Sequence, residues 1–540
     1  MRTVVIPSAG TGSRLGDFTK NYNKAMCTLG SKPVISYIIE HFTKEDEIII
    51  LLGYKGDLLK QVVKACYPDW NIRFVEVDIY EGPRSGLGYS LSRAYEYLQK
   101  PFIFWPNDTL LENDINDMLY DNNWVIVGSH EQDSRSYRHA IGSKSDNSLT
   151  MILPKDSVGY KYSYPYTGVC FVKDYEGFWE AFRTNRETFV NEGEVIGLNN
   201  IDDIKIYPAE RWIDTGNREL FEKAKIEYSK KMEEVVLEKP DEAIWFIKDK
   251  VIKFHIDKKF IADRVKRFDT LLSEKEKKNG IKIPQLLYYD ENVYVYKREP
   301  GVMASKVINP TTFASLLTVF LASIETEEID EKEALKIYED FYKKKTLHRI
   351  YKFCDDTGEP DDSVEINGFD CVSAEKLIKL IDWEKISKKG VFSKNYHGDF
   401  HLENILVQGD KYVFLDWRQN FGESSSEVGD IYYDLAKMYH SLIVNHQMVK
   451  QERFTIERIK NSVKVDIDRT FIDTECERVL RGVADIAFDL KLVELMTALI
   501  FLNIAACHVY PYSKFLFYLG KYLLNLFYVR DINHEYFKTA

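Results

Sequence analysis

Across residues 1–225, short apolar runs alternate with stretches of helical periodicity, and no other feature narrows the fold as far. Residues 2–7 (RTVVIP) are a β-branched run leading into a Gly/Ser loop. Residues 32–41 (KPVISYIIEH) carry helical spacing. Residues 46–53 (DEIIILLG) are almost unbroken in apolarity, the pattern of a strand covered on both faces. A second helix, a strand at 72–77, a helix at 88–98 and a strand at 102–105 follow. Such alternation predicts the α/β class, with a mainly parallel sheet and helices on both sides.

The texture changes near residue 240. Residues 218–238 are highly charged with a helical pattern, and Pro240 ends it. Residues 244–247 and 250–255 read as two strands around a Lys248-Asp249 turn, and a charged helix is expected at 258–278. Strands at 283–289 and 293–297 flank an Asp-Glu-Asn turn. From about 310 the pattern is mostly helical, interrupted near 395–420. The expected organisation is a first domain at 1–228, a linker at 229–240 and a second domain at 241–540. The second divides into a small β-rich lobe (241–305) and a helical lobe (306–540), a layout similar to that of kinases.

Bulk properties exclude several classes. A net charge of -12 argues against nonspecific nucleic-acid binding. Seven cysteines without CxxC spacing read as reduced thiols of a cytoplasmic protein, not as a disulfide frame or zinc site. The N-terminus lacks the layout of a signal peptide. The longest apolar stretch, residues 495–507, is too short for a membrane span and contains Asn503, so a buried helix is expected. Oligomeric state stays open.

Directly after the first strand comes Ser8-Ala9-Gly10-Thr11-Gly12-Ser13-Arg14-Leu15. Glycines let backbone N–H groups close on phosphate oxygens, and Arg14 adds a forked cation. Alone, the loop also suits a dinucleotide fingerprint or a tight turn, although the third glycine of GxGxxG is missing. Asn23-Lys24-Ala25 and Leu29-Gly30-Ser31-Lys32-Pro33 follow in order. This set resembles the sugar-nucleotide and phosphocholine-type nucleotidyltransferases, with their AAGxGxRL loop, Pro-Lys step and Gly-Lys-Pro turn. Ser8 replaces the first alanine and Asn23 the proline. The resemblance covers about residues 1–225 and implies a Rossmann-like fold with Lys24 and Arg14 as catalytic cations. It implies nucleotide contacts from Ala9, Gly10, Thr11, Gly12 and Ser13, and base contacts from Gly86 and Gly88. It places Mg²⁺ on Asp108 and on Asp214 of the Trp212-Ile213-Asp214-Thr215-Gly216 motif. Glu194 and Tyr166-Thr167-Gly168 fall where sugar-type members meet the acceptor.

The second motif is His397-Gly398-Asp399-Phe400-His401-Leu402-Glu403-Asn404, followed by a hairpin (405–407 and 412–415) and Asp416-Trp417. It resembles the aminoglycoside phosphotransferase and choline kinase superfamily, which implies a bilobal, protein kinase-like α+β domain. Kinase chemistry needs an aspartate to take the hydroxyl proton, and an asparagine and second aspartate to hold Mg²⁺ on ATP. The resemblance assigns these to Asp399, Asn404 and Asp416. His397 and His401 read as orienting or core residues, and Asp430 and Asp434 as mainly structural. Lys253 in Val251-Ile252-Lys253-Phe254 would clamp the α/β-phosphates. No clear Gly-rich loop precedes it, and its acidic partner is Asp263 or Asp269.

Together the halves imply a bifunctional enzyme. ATP would phosphorylate a small alcohol or polyol, and a nucleotidyl group, with CTP the first choice of donor, would then pass to the phosphate. The product would be an activated head group for surface polysaccharide or lipid decoration. Because the Gly86-Leu87-Gly88 loop is of sugar type, a sugar phosphate with UTP, GTP or dTTP stays open, with a non-catalytic kinase-like half as the alternative. Arg418 stands where choline-type members tend to carry an acid, which favours a polyol, sugar or acid-bearing alcohol.

Overall fold

The apolar run at 46–53 becomes the strand Glu47–Leu52, buried along its whole length. In the computed structural model it runs parallel to Thr3–Ser8 on one side and Ile72–Glu76 on the other, and Thr3–Ser8 is parallel to Phe102–Phe104. Alternate residues point to opposite faces. Val4, Ile6, Ile48 and Ile50 enter one apolar core, and Val5, Ile49 and Leu51 enter another. Leu59, Val62 and Val63 of helix Gly56–Cys66 cover the first face, and Phe178 and Trp179 of helix Tyr175–Thr184 belong to the second. Burying each such side chain contributes about 1.5–3 kcal/mol relative to exposure. Beyond the parallel strands, Ser163–Val172 is antiparallel to Phe102–Phe104 and to Asn123–Val127, and Ile204–Pro208 is parallel to Asn123–Val127. The result is α/β with a mostly parallel central sheet, as the alternation predicts.

The structure describes the chain apart from residues 119, 130–135, 144–147, 158–159, 231–240, 274–280, 423–427 and 539–540. The expected linker at 229–240 therefore lies almost wholly outside the described residues, as does the end of the helix expected at 258–278. The chain forms two compact units: Met1–Glu234 with Pro240–Ile256 and Tyr288–Val295, and a second made chiefly of Asp257–Leu287 and Tyr296–Ala540. The strands Glu242–Ile247 and Lys250–His255 thus group with the first unit, not with the helical region that follows. Within that unit Trp245 is fully buried and donates from Nε1 to Thr28 Oγ1 at 2.9 Å, while Phe246 N–H donates to Ser31 O.

In the second unit a short sheet joins Ile281–Lys282, Lys411–Phe414, Ile405–Gln408 and Val302–Met303. Helix Ile431–Ile443 is buried at nearly every position, and helix Leu490–Ala505 takes up the apolar stretch. No helix among the described residues is long and apolar enough to cross a membrane. All seven cysteines are free.

Four local expectations need correction. The helix at 32–41 starts only at Val34, because Lys32–Pro33 pairs with Thr28–Leu29 across Gly30. The helix at 88–98 is two pieces, Leu87–Ser92 and a 3-10 turn at Tyr95–Leu98. The strand expected at 283–289 begins only at Leu286, since Pro284 lacks an N–H for the ladder; a separate two-residue strand, Ile281–Lys282, precedes it. The region beyond 310 also holds an unexpected four-stranded sheet built from Val364–Ile366, Phe369–Cys371, Phe454–Ile459 and Ser462–Ile467.

Candidate active sites

The first strand ends at Ser8, and Ala9 to Gly12 carry the chain into a 3-10 segment, Ser13–Thr19. Gly12 adopts φ +68°, and a Cβ there would lie 2.9 Å from Thr19 Cγ2 and 3.1 Å from Lys24 Cβ. Only glycine lets the loop fit against Lys24 without strain. Asn23 pins the same loop. Its Nδ2 donates to Ser8 O (2.8 Å) and Tyr54 O (2.7 Å), while Oδ1 accepts from Ala25 N and caps Lys24–Met26.

Lys24 Nζ reaches Asp108 Oδ2 at 2.8 Å. Asp108 lies just past Phe102–Phe104, and Asp214 ends the strand Trp212–Asp214 opposite Thr109. Thr215 joins the two segments, donating from N–H and Oγ1 to Asp108 O at 2.8 and 3.0 Å. A Cβ built on Gly216 would sit 2.9 Å from Asp214 Oδ1 and 3.1 Å from Asp108 Oδ2. Two carboxylates more than a hundred residues apart in sequence therefore converge on one point. Burial works against the Asp108 anion, but Lys24 and Arg14 outweigh it and hold its pKa below the ordinary value. Asp214 shifts the other way: burial and the nearby Asp108 raise it, against hydrogen bonds from Gly216 N–H and Tyr137 OH. A converging acid pair of this kind fits a divalent cation that draws its remaining ligands from phosphate. Among the described residues no cluster of three or more His, Cys, Asp or Glu side chains offers a complete protein cage.

These acids line a cavity of about 890 Å³ that also receives Arg14, Tyr166, Thr167, Gly168 and Glu194. Glu194 is buried, its Oε2 has no hydrogen-bond partner, and burial pushes its pKa up to about 7. Tyr137, Arg138 and Lys155 line the same space and were not anticipated from sequence. Gly86 and Gly88 also have a packing role. A Cβ on either would fall within 2 Å of a backbone carbonyl, Val190 O or Phe189 O, so helix Arg186–Glu192 needs glycine there.

In the second unit, Asn404 Nδ2 donates to Asp399 O at 2.9 Å and Oδ2 at 3.2 Å. That leaves Asn404 Oδ1 for a cation. The hairpin returns the chain so that Leu415 N–H donates to Asn404 O and Arg418 N–H to His397 O, which brackets Asp416 beside the loop. Asp416 takes a left-handed φ of +57°, an uncommon conformation for a non-glycine residue. Arg418 Nε also donates to Gly398 O at 2.8 Å. Asp434 holds the loop from below, accepting from His397 N–H (2.8 Å) and Gly398 N–H (2.6 Å). Burial lifts its pKa to about 7. Asp430 accepts from Tyr338 OH, Tyr342 OH and Tyr432 N–H, so both acids act as braces.

Asp399 itself is flanked by cations. Lys437 Nζ lies 2.8 Å from Oδ1 and His401 Nε2 lies 3.5 Å from Oδ2. Burial opposes the Asp399 anion, but Lys437 and His401 hold its pKa well below the carboxylate range. His401 Nδ1 meets Glu403 Oε2 at 3.1 Å, which orients the imidazole. His397 is fully buried against Trp417 and its pKa falls to about 3, so it stays neutral. Lys437 was not anticipated. It lies three residues past Asp434, one helical turn on, where a side chain shares the face that grips the loop. Lys253 lies mid-strand opposite Ile244, in the first compact unit. Asp263, in the second, accepts from Asn420 Nδ2.

Comparison with known proteins divides along the same line. Residues 368–454, which hold Asp399, Asn404 and Asp416, match the phosphotransferase enzyme family. The N-terminal part is 28% identical over 153 residues to the bifunctional protein GlmU of Methanococcus vannielii, covering 28% of this chain and 34% of that protein. It is 33% identical over 126 residues to choline-phosphate cytidylyltransferase of Streptococcus pneumoniae, covering 23% of this chain and 52% of that protein. A structural likeness to CTP:phosphocholine cytidylyltransferase of Streptococcus pneumoniae covers 42% of this chain and 99% of that one, at 20% identity and a TM-score of 0.34. The chain spans about a third of the length of the GlmU proteins it matches. The chain therefore joins an N-terminal nucleotidyltransferase domain to a C-terminal domain of the phosphotransferase enzyme family.

Proposed function

We propose that the chain carries out two Mg²⁺-dependent steps, phosphorylation of a small alcohol by ATP and nucleotidyl transfer to the resulting phosphate. The observation that supports this most is that each unit brings together its own polar cluster: Asp108 and Asp214 beside Gly216, and Asp399 with Asn404 next to the loop that carries Asp416.

In the transferase, an oxygen of the acceptor phosphate attacks the α-phosphorus of the nucleoside triphosphate. The bond from that phosphorus to the bridging oxygen breaks and pyrophosphate leaves. Arg14 and Lys24 offset the charge that gathers as two anions meet, and Asp108 and Asp214 would hold Mg²⁺, which polarises the α-phosphate when bound. The loop of Ala9, Gly10, Thr11, Gly12 and Ser13 offers its N–H groups to the phosphates. Glu194 accepts hydrogen bonds from acceptor hydroxyls. In the phosphotransferase, Asp399 orients the alcohol and takes its proton as the oxygen attacks the γ-phosphorus and ADP leaves. Asn404 and Asp416 would hold Mg²⁺ there.

CTP is the proposed nucleotide, with similarity to the choline-phosphate cytidylyltransferase as its support. Pyrophosphate release measured with each triphosphate, against a panel of phosphorylated alcohols and sugars, tests the assignment. Release that is fastest with CTP and an alcohol phosphate supports it. Release that is fastest with UTP, GTP or dTTP and a sugar phosphate refutes it.

A further inference from the structure

The surroundings of Asp399 carry more positive charge than phosphoryl transfer to a neutral or cationic alcohol requires. Lys437 already neutralises Asp399. Arg418 and Lys345 share the Phe341 ring in its electrostatic neighbourhood, and Arg349 stands beside Lys345. Arg418 is tied to the catalytic loop through Gly398 O, and its guanidinium lies 5.4 Å from the Phe341 ring centre and 5.6 Å from that of Tyr433. Lys345 Nζ lies 4.1 Å from the centre of the same Phe341 ring. Arg349 follows one helical turn after Lys345 on helix Lys345–Thr357, on the same face.

None of Lys345, Arg349 and Arg418 pairs with a carboxylate among the described residues. Lys345 shows the cost of the arrangement. Burial, then Arg418, Arg349 and Lys437, depress its pKa well below the usual lysine value. Like charges gathered in a partly buried place repel, and a fold keeps them together most readily where a ligand supplies the missing anion. The guanidinium fork matches carboxylate and phosphate geometry alike. A quaternary ammonium substrate would meet repulsion at every one of these groups.

Resting on the phosphotransferase reading above, we propose that the acceptor is an anionic alcohol, carrying a carboxylate or phosphate besides its reacting hydroxyl. Lys345, Arg349 and Arg418 hold the anionic group while the hydroxyl faces Asp399. The hydroxyl oxygen bonds to the γ-phosphorus, the bond to the β,γ-bridging oxygen breaks, ADP leaves, and the hydroxyl proton passes to Asp399.

Matched alcohols test this on the full-length protein with ATP and Mg²⁺. The set is glycerate, erythronate and ribonate, their neutral twins glycerol, erythritol and ribitol, the monophosphates of those three polyols, and choline. The expected result is that an anionic member outperforms its neutral twin at least tenfold in kcat/KM. The carboxylate and monophosphate arms then separate the two sources of charge. Lys345→Met, with Arg349→Gln as an independent second variant, should raise KM for that substrate by about 10–100-fold. The KM for ATP and the kcat should stay nearly unchanged.

Preference for a neutral twin or choline overturns the anionic acceptor while leaving the phosphotransferase reading intact. A rise in KM for ATP instead of the acceptor also overturns it, because the cations would then serve the nucleotide. If no alcohol is phosphorylated, calorimetric binding decides. An anionic alcohol that binds wild type but not Lys345→Met refutes the kinase step and keeps the anion site, and absence of such binding refutes both.

Discussion

The two candidate sites have opposite electrostatic balances. In the first, Asp108 and Asp214 point at one spot, and each raises the cost of ionising the other. Lys24 pairs with Asp108 and Arg14 adds its charge, while Asp214 has no ion-pair partner among the described residues. In the second, the single Asp399 is saturated by Lys437 and His401, and more cations stand behind it. The first site is built to receive a cation between its acids. The second already holds its acid in ion pairs, and Arg418 and Lys345 add cations that pair with no carboxylate among the described residues. On the proposed chemistry, a metal would complete one pocket and the charge of the substrate would complete the other.

The largest expected effects separate the sites. Asp214→Asn should lower nucleotidyl transfer by about 10³-fold, the scale of losing a group that stabilises transition-state charge, and leave ATP-dependent phosphorylation of the alcohol within about twofold. Asp399→Asn should do the reverse, with a loss of about 10²–10⁴-fold in phosphoryl transfer. If either change damages both reactions equally, with folding verified by circular dichroism, the sites are not independent and the contrast fails.

Structural predictions come next in size. Gly88→Ala drives a methyl into Phe189 O and should cost about 1–3 kcal/mol or more by urea denaturation, even though its position resembles a base-contacting loop. A loss of nucleotide affinity without a loss of stability would restore the ligand role for Gly86 and Gly88. Asn23→Ala removes three hydrogen bonds that pin the phosphate loop, two of them buried, and should cost about 2 kcal/mol.

Glu194 gives a pH-dependent test. Its folded pKa near 7 lies above the ordinary 4.5, so the folded state holds a proton that the unfolded state has lost. Stability from this group is therefore full below about pH 4.5 and declines as pH rises towards about 7, by an amount on the order of 3 kcal/mol. Glu194→Gln should remove that slope, with its advantage over wild type growing from pH 5 to pH 8. An identical slope in both proteins would place the Glu194 carboxylate in water and weaken its acceptor role.

Much of this contrast was legible in the sequence because it rests on local signals. The β-branched and apolar runs dictated the parallel strands, and ordered motifs carried Asp108, Asp214, Asp399, Asn404 and Asp416. What escaped depends on tertiary geometry or on signals read too lightly. The sheet at Val364–Ile366 and Phe369–Cys371 is announced by Asn367-Gly368, both with positive φ, a strong hairpin dipeptide inside a region read as helical. Arg138 and Lys155 reach the first cavity from segments with no motif. Gly86 and Gly88 resemble a ligand loop, and the packing of a helix backbone a hundred residues away against them is a second constraint that only the fold shows. Lys345 is a charged residue on a charged helix, and only the fold brings it to the Phe341 ring shared with Arg418.

The central claim, that two separate sites act in sequence on one alcohol, has one direct measurement. Asp399→Asn protein is incubated with CTP, ATP and Mg²⁺, first with the free anionic alcohol and then with its phosphorylated form, and products are weighed by mass spectrometry. Sequential action at the two sites predicts no nucleoside diphosphate-linked product from the free alcohol and wild-type yield from the phosphorylated one. Product from the free alcohol, or none from either while wild type makes it, would contradict the account.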